Sequence, residues 1–316
     1  MKNNDMKKYQ PNLRFGAASM AALLFTLPSA AKAEADIQAT SGSGPNGYRS
    51  TEVRGNADLF DTSLSVNVLG FKSDSSTADT ISQSAFGLEW KPAKLATLGV
   101  THNKQDNSLI DISGNTLSLA LALHTLWDSK LQTRLNLKRA ESEYNFNTLP
   151  AAVQNRTLSQ TGNTFGLSQD IADPVTLYAT FDRYSYDRDP KDAAAHLMLS
   201  TKRKFFSTVS SLLSFPDSTN TFGITWRMTE AFTVDVSSSK TSTQLDQELK
   251  TRRVGLDYQA TDHLNFTVAV SRMSATAVIT KKTYFPSIPA LTIPAGTTVM
   301  PATDDTYREI GLGWTF

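Results

Sequence analysis

A two-residue period runs through most of this chain and leaves it few folds to choose from. Leu117, Leu119, Leu121 and Leu123 alternate with Ser118, Ala120, Ala122 and His124 without a break, and Leu131, Leu135 and Leu137 alternate with Gln132, Arg134, Asn136 and Lys138. Successive side chains of a strand point to opposite faces, so each run describes a strand with one greasy and one polar face. Many such strands need a shared way to cover their greasy faces and pair their edges.

The runs come in pairs around short polar turns, at Lys91 to Lys94, Trp127 to Lys130, Ile171 to Pro174, Lys202 to Lys204, Met228 to Ala231 and Gln259 to His263. Phe222, Ile224 and Trp226 lead into the fifth turn and Phe232, Val234 and Val236 leave it; the fourth joins Leu197 and Leu199 to Phe205, Val209, Leu213 and Phe215. Adding an opening strand at Leu64, Val66 and Val68 and a closing one at Thr306 to Phe316 predicts about 14 strands, with 12 or 16 as the neighbouring counts. Longer polar segments separate the pairs, at Lys104 to Asn115, Asn145 to Gln160, Ser185 to Asp192 and Thr241 to Thr251, with a short exception at Pro216 to Thr219. Ala275 to Asp305 is longer, apolar and proline-rich, and reads as an irregular loop, not a strand pair, that folds over or into a mouth.

The ends carry addresses. Lys2, Lys7, Lys8 and Arg14 precede an apolar run at Ala17 to Leu27, and Ala31-Lys32-Ala33 closes it as a cleavage site, so residues 1–33 read as a secretory signal peptide. Residues 34–61, rich in Gly, Ser, Pro and Asn around Ser41 to Gly47, read as a flexible periplasmic leader or plug, and 62–316 as the strand-bearing domain. The chain has 31 basic and 30 acidic residues; without the five basic and one acidic residue of 1–33, its net charge falls from +1 to −3, which gives no nucleic-acid footprint. With no Cys at all, disulfides, thiolate metal sites and cysteine nucleophiles are removed together.

At the C-terminus, Ile310, Leu312, Trp314 and Phe316 share one parity. This stretch resembles the C-terminal signature strand of Gram-negative outer-membrane β-barrels, and the strand count and turn order resemble those of monomeric porin-like members with about 14 strands. The fold class expected is all-β: a transmembrane, antiparallel, up-and-down β-barrel. The resemblance implies an outer-membrane location with both termini periplasmic, contact with membrane lipid and lipopolysaccharide, delivery by the barrel-assembly machinery through Leu312, Trp314 and Phe316, and passive uptake of small hydrophilic solutes by a monomer more than a trimer. The closing strand is expected to pair with Thr62 to Gly70. An aromatic girdle beside the short turns is expected from Trp90, Trp127, Trp226, Tyr258, Trp314 and Phe316.

If the apolar parity faces lipid, the other parity lines the interior: Glu89, Arg134, Lys138, Asp182, Lys202, Arg227, Asp235, Arg253, Asp257 and Glu309. Such charges either pair across strands as a solvated wall or set ion selectivity at a constriction, with Arg134, Lys138 and Lys202 the candidates for a basic stripe. No catalytic, cofactor-binding or metal-ligating residues are assigned, because none of the four histidines stands in a His-x-Ser arrangement or beside an acidic pair, and no phosphate loop or dinucleotide fingerprint occurs. The reading is therefore a porin-like channel for ions and small hydrophilic solutes and not an enzyme. The alternatives are a structural, export or conduit barrel with another envelope partner, and an outer-membrane hydrolase.

Overall fold

The computed structural model describes residues 35–59, 63–76, 80–107, 110–126, 130–146, 157–190, 215–244, 246–279, 298–300 and 302–316. Its strands are β1 (Ala35–Ser43), β2 (Arg49–Asp58), β3 (Leu64–Asp74), β4 (Ile81–Ala93), β5 (Ala96–Asp106), β6 (Ile110–Ala122), β7 (Thr133–Phe146) and β8 (Leu158–Ala172). They continue with β9 (Val175–Tyr186), β10 (Pro216–Arg227), β11 (Phe232–Thr243), β12 (Glu248–Gln259), β13 (Leu264–Ala275), β14 (Val278–Ile279), β15 (Thr298–Met300) and β16 (Thr303–Thr315). Strands β1 to β13 and β16 form one closed antiparallel barrel of 14 strands, so no edge is left open.

The predicted count holds, but two of its members differ. Residues 35–58 are not a leader: β1 and β2 make the first hairpin of the wall, with Ala39 opposite Val53. The turn between them is Pro45–Gly47, where Asn46 (φ 54°) and Gly47 (φ 68°) take the left-handed conformation that lets a tight hairpin form. β16 therefore closes the cylinder against β1, Ala39 facing Leu312, and not against Thr62 to Gly70. Conversely β9 pairs directly with β10, and the expected hairpin around Lys202 to Lys204 falls in the connection between them, outside the described residues. Lys202 and Trp127 lie outside the described residues, as do 1–33. The expected short connection at Pro216 to Thr219 is itself strand, the start of β10.

The polar segments also divide differently. β5 runs to Asp106 and β6 starts at Ile110, and β11 and β12 reach Thr243 and Glu248, so much of what reads as loop is strand. Outside the apolar belt the outward residues turn polar, and the alternation fades while the pairing persists. One rim has tight turns at 94–95, 173–174, 228–231 and 260–263 and carries the start of β1 and the end of β16, where the Phe316 amide donates to the Ala35 carbonyl at 2.8 Å. The other rim holds the long connections 147–157, 187–215 and 276–302 alongside short ones. The last of these contains β14 and β15, a two-stranded antiparallel ribbon where no strand pair was expected.

Candidate functional site: the charged interior wall

Register fixes which residues face inward. Leu88 is opposite Val66 and Val100, and Leu256 opposite Val234 and Val268, so the apolar residues form continuous outward rows. They are exposed, as at Leu117 (61%), Val254 (53%) and Ile310 (65%), so the greasy faces coat the outside of the barrel. Polar and small residues of the opposite parity take the interior. Trp90, Trp226, Tyr258, Trp314 and Phe316 all lie outward beside the tight-turn rim. There Phe232 stacks on Tyr258 at 4.7 Å, and His263 on Trp314 at 6.5 Å.

Nine of the ten expected interior charges fall among the described residues, and all nine occupy inward register positions. Glu89, Lys138 and Asp182 belong to one row, linked through Gly99, Ser118 and Thr164. Asp182 accepts from the Thr164 hydroxyl at 2.5 Å, and Asp257 from Thr267 at 2.6 Å. Arg134 sits two inward positions from Lys138 and bonds the Gln132 side chain; Arg227 ends β10 at the tight-turn rim. The basic stripe thus reduces, among the described residues, to Arg134 and Lys138 on β7.

The structure joins the others into a network. The Tyr178 hydroxyl donates to Asp235 Oδ2 at 3.0 Å, as does Thr225, and Arg253 Nη1 lies 3.8 Å from Asp235 Oδ1. Arg253 Nη2 then donates to Glu309 Oε2 at 3.3 Å. The chain of contacts spans the inner wall from β9 to β16 on small residues. Tyr178 lies over Gly223, where an added Cβ would stand 2.2 Å from Tyr178 Cζ, and Arg253 lies over Gly255, where it would stand 3.2 Å from Nη1. Tyr178, Gly223 and Gly255 escape sequence reasoning because only the register shows which small residue lies beneath which long side chain.

Two further interior features carry no charge stripe in the sequence. Glu52 and Arg54 pair at 2.5 Å on β2, inside what reads as leader. Near the long-connection rim, Phe215 is buried against Tyr144 and Tyr186, ring centroids 5.9 and 6.0 Å away; Ile110, the register partner of Phe146, and Leu158, the register partner of Tyr144, are also buried. The Tyr186 hydroxyl donates to the Pro216 carbonyl at 2.9 Å. The end of connection 187–215 is thereby fastened to the inner wall of β6 to β9.

The histidines offer no reaction centre among the described residues. His102 faces outward beside Asn115 at 3.0 Å, His124 lies in a 3-10 turn (Leu123–Leu126) and not on a strand wall, and His263 caps the tight-turn rim. No group of three or more metal-ligating side chains occurs among the described residues.

No protein-family model matches the chain, and no curated relative does. Solved structures do resemble it. The CymD monoaromatic hydrocarbon channel superposes with a TM-score of 0.51 at 8% identity, over 90% of this chain and 88% of that one. The likeness is one of fold. Others are the outer membrane channel DcaP of Acinetobacter baumannii (TM-score 0.44, 8% identity, 90% and 96% covered) and the KdgM porin (0.42, 7%, 89% and 99%).

Proposed function

We propose that this protein is an outer-membrane channel through which ions and small hydrophilic solutes diffuse passively. The observation that carries the reading is the division of one wall into two solvents: an outer belt of exposed Leu, Val, Ile and Phe, and an inner face of Ser, Thr, Asn, Gly and charged residues. Lipid is the medium that suits the first, and water the second. A barrel of 14 strands is wider than the eight-stranded kind that side chains fill.

The inner wall also has a sign. Asp36, Glu52, Asp58, Glu89, Asp170, Asp182, Asp235, Asp257, Asp305 and Glu309 outnumber Arg54, Lys91, Arg134, Lys138, Arg227 and Arg253 at inward strand positions. An acidic wall concentrates cations, so the channel prefers them. Residues 1–33 act as the signal peptide, the tight-turn rim with both termini faces the periplasm, and the final strand presents Leu312, Trp314 and Phe316 to the assembly machinery. No reaction is assigned to the chain.

Planar-bilayer recording on the refolded chain lacking 1–33 tests this. Stepwise conductance is expected, with a reversal potential on the cation side in a salt gradient. A folded but silent barrel would favour the structural or conduit reading, which the apolar cluster around Phe215 at the mouth supports.

A further inference from the structure

One row of the inner wall carries charges that do not meet. From β4 to β9, Glu89, Lys138 and Asp182 share a register row, with Gly99 and Ser118 between the first two and Thr164 between the last two. None of the three enters an ion pair among the described residues. Arg253 behaves differently, reaching Glu309 two strands away at 3.3 Å. Lys138 and Asp182 are also two strands apart, roughly 10 Å between Cα atoms, and stay unjoined.

The residues around them hold them in this state. The Thr164 hydroxyl, lying between, donates to Asp182 Oδ1 at 2.5 Å, and no donor among the described residues reaches Oδ2. Lys138 is exposed to the lumen. On the long-connection side of the row the wall is low: Ala140 and Gly162 are register partners, and the half-buried Tyr184 lies across Gly162, where an added Cβ would stand 3.1 Å from ring carbons Cδ1 and Cε1. The result is a shallow recess with an ammonium at one corner, a carboxylate at the other and an aromatic ring beside the carboxylate. Opposite charges held apart at a fixed interval are complementary to a solute that carries both signs.

We infer that this recess is a binding subsite for a zwitterionic solute with an ammonium and a carboxylate on one carbon, an α-amino acid. Its ammonium donates to the free Oδ2 of Asp182, its carboxylate accepts from Lys138 Nζ, and its side chain rests against the Tyr184 ring over Ala140 and Gly162. The two groups, with a charge-assisted hydrogen bond at each end, span about 9 Å, which fills the interval between the partners. Glu89 lies three strands from Lys138, roughly 14 Å between Cα atoms, a wider interval than such a molecule fills. The inference rests on the channel reading above and names one class of solute within it.

The test is saturation-transfer NMR of the refolded chain lacking 1–33 in deuterated detergent, with empty micelles subtracted. The probes are L-phenylalanine, its methyl ester, which keeps only the ammonium, and 3-phenylpropionate, which keeps only the carboxylate. L-phenylalanine is expected to bind about tenfold more tightly than either, the worth of one charge-assisted contact. Asp182→Asn should remove its advantage over 3-phenylpropionate, and Lys138→Gln its advantage over the ester, while heat-modifiable gel mobility shows that both variants are folded. Equal affinity of the three probes for the parent, or a uniform loss for all three in either variant, would overturn the subsite. In planar bilayers L-phenylalanine is expected to interrupt the parent's current, and to do so less in both variants. A silent parent that still prefers L-phenylalanine would fail the channel reading alone, and a conducting parent without that preference would fail this one alone.

Discussion

Arg253 on β12 reaches Glu309 on β16 across the whole width of β13, 3.3 Å from Nη2 to Oε2. It does so because Gly255 and Ala269 between them have no side chain tall enough to intervene. With Asp235 on its other side, Arg253 holds two carboxylates on this arc of the wall.

Replacing Arg253 with Ala is expected to make the wall more acidic and the channel more cation-selective. The pair with Glu309 is partly exposed, 36% and 37%, so its loss should cost no more than about 1 kcal/mol. Reversal potentials in a KCl gradient measure the change; an unaltered potential would place the cluster off the ion path.

Gly223→Leu should drive Tyr178 off the wall. The new Cβ would lie 2.2 Å from Tyr178 Cζ, so the ring must swing into the interior and release Asp235. Overpacking of this kind costs about 1–3 kcal/mol. Thermal unfolding in detergent should fall, conductance should drop, and Tyr178→Ala in the same chain should restore both. Absence of that rescue would mean the strain lies elsewhere.

The in-out parity is testable on β6. Leu119, outward opposite Leu98 and Leu137, becomes a buried charge in the bilayer as Leu119→Arg, at about 2–4 kcal/mol near the midplane. Ala120→Arg, inward opposite Thr97 and Asn136, should leave stability nearly unchanged. Urea titration in lipid vesicles compares the two, and the reverse order would invert the assignment.

Deleting Gly42 to Tyr48 should destabilise the barrel and not simply unblock it. The segment contains the β1–β2 turn, closed by the Gly44 amide on the Tyr48 carbonyl at 3.0 Å, and Tyr48 packs edge-on against Tyr307 of β16 at 5.3 Å. Loss of the heat-resistant gel form is the expected readout; a stable barrel with raised conductance would restore the plug reading.

How far the fold is legible in the sequence depends on how much contrast each strand carries between its two faces. β12 and β13 alternate bulky Val, Leu, Phe and Tyr with polar residues and are read correctly. β1 shows outward Ala35, Ile37, Ala39 and Ser41 against Asp36, Gln38 and Thr40, a contrast too faint to register beside a Gly-rich turn. The Asn46-Gly47 pair is a hairpin signal in its own right and was the available clue. Residues 197–214 show the contrast in sequence but lie outside the described residues, and Phe215 at their end uses its hydrophobicity inside the mouth. Interior charges follow from parity alone, so nearly all were legible. Their partners were not, since contacts such as Arg253 to Glu309 join residues 56 apart in sequence.

The pairing of β1 with β16 has a kinetic consequence. Every other wall pairing joins strands that follow one another around the barrel, so each can zip from a hairpin or a short reach. The seam alone must bring Asp36 to Thr315, and until it does, both the first and the last strand stand with unpaired backbone groups. Assembly therefore ends on a single long-range event, and the unfinished sheet is at that moment as ready to add a foreign strand as its own.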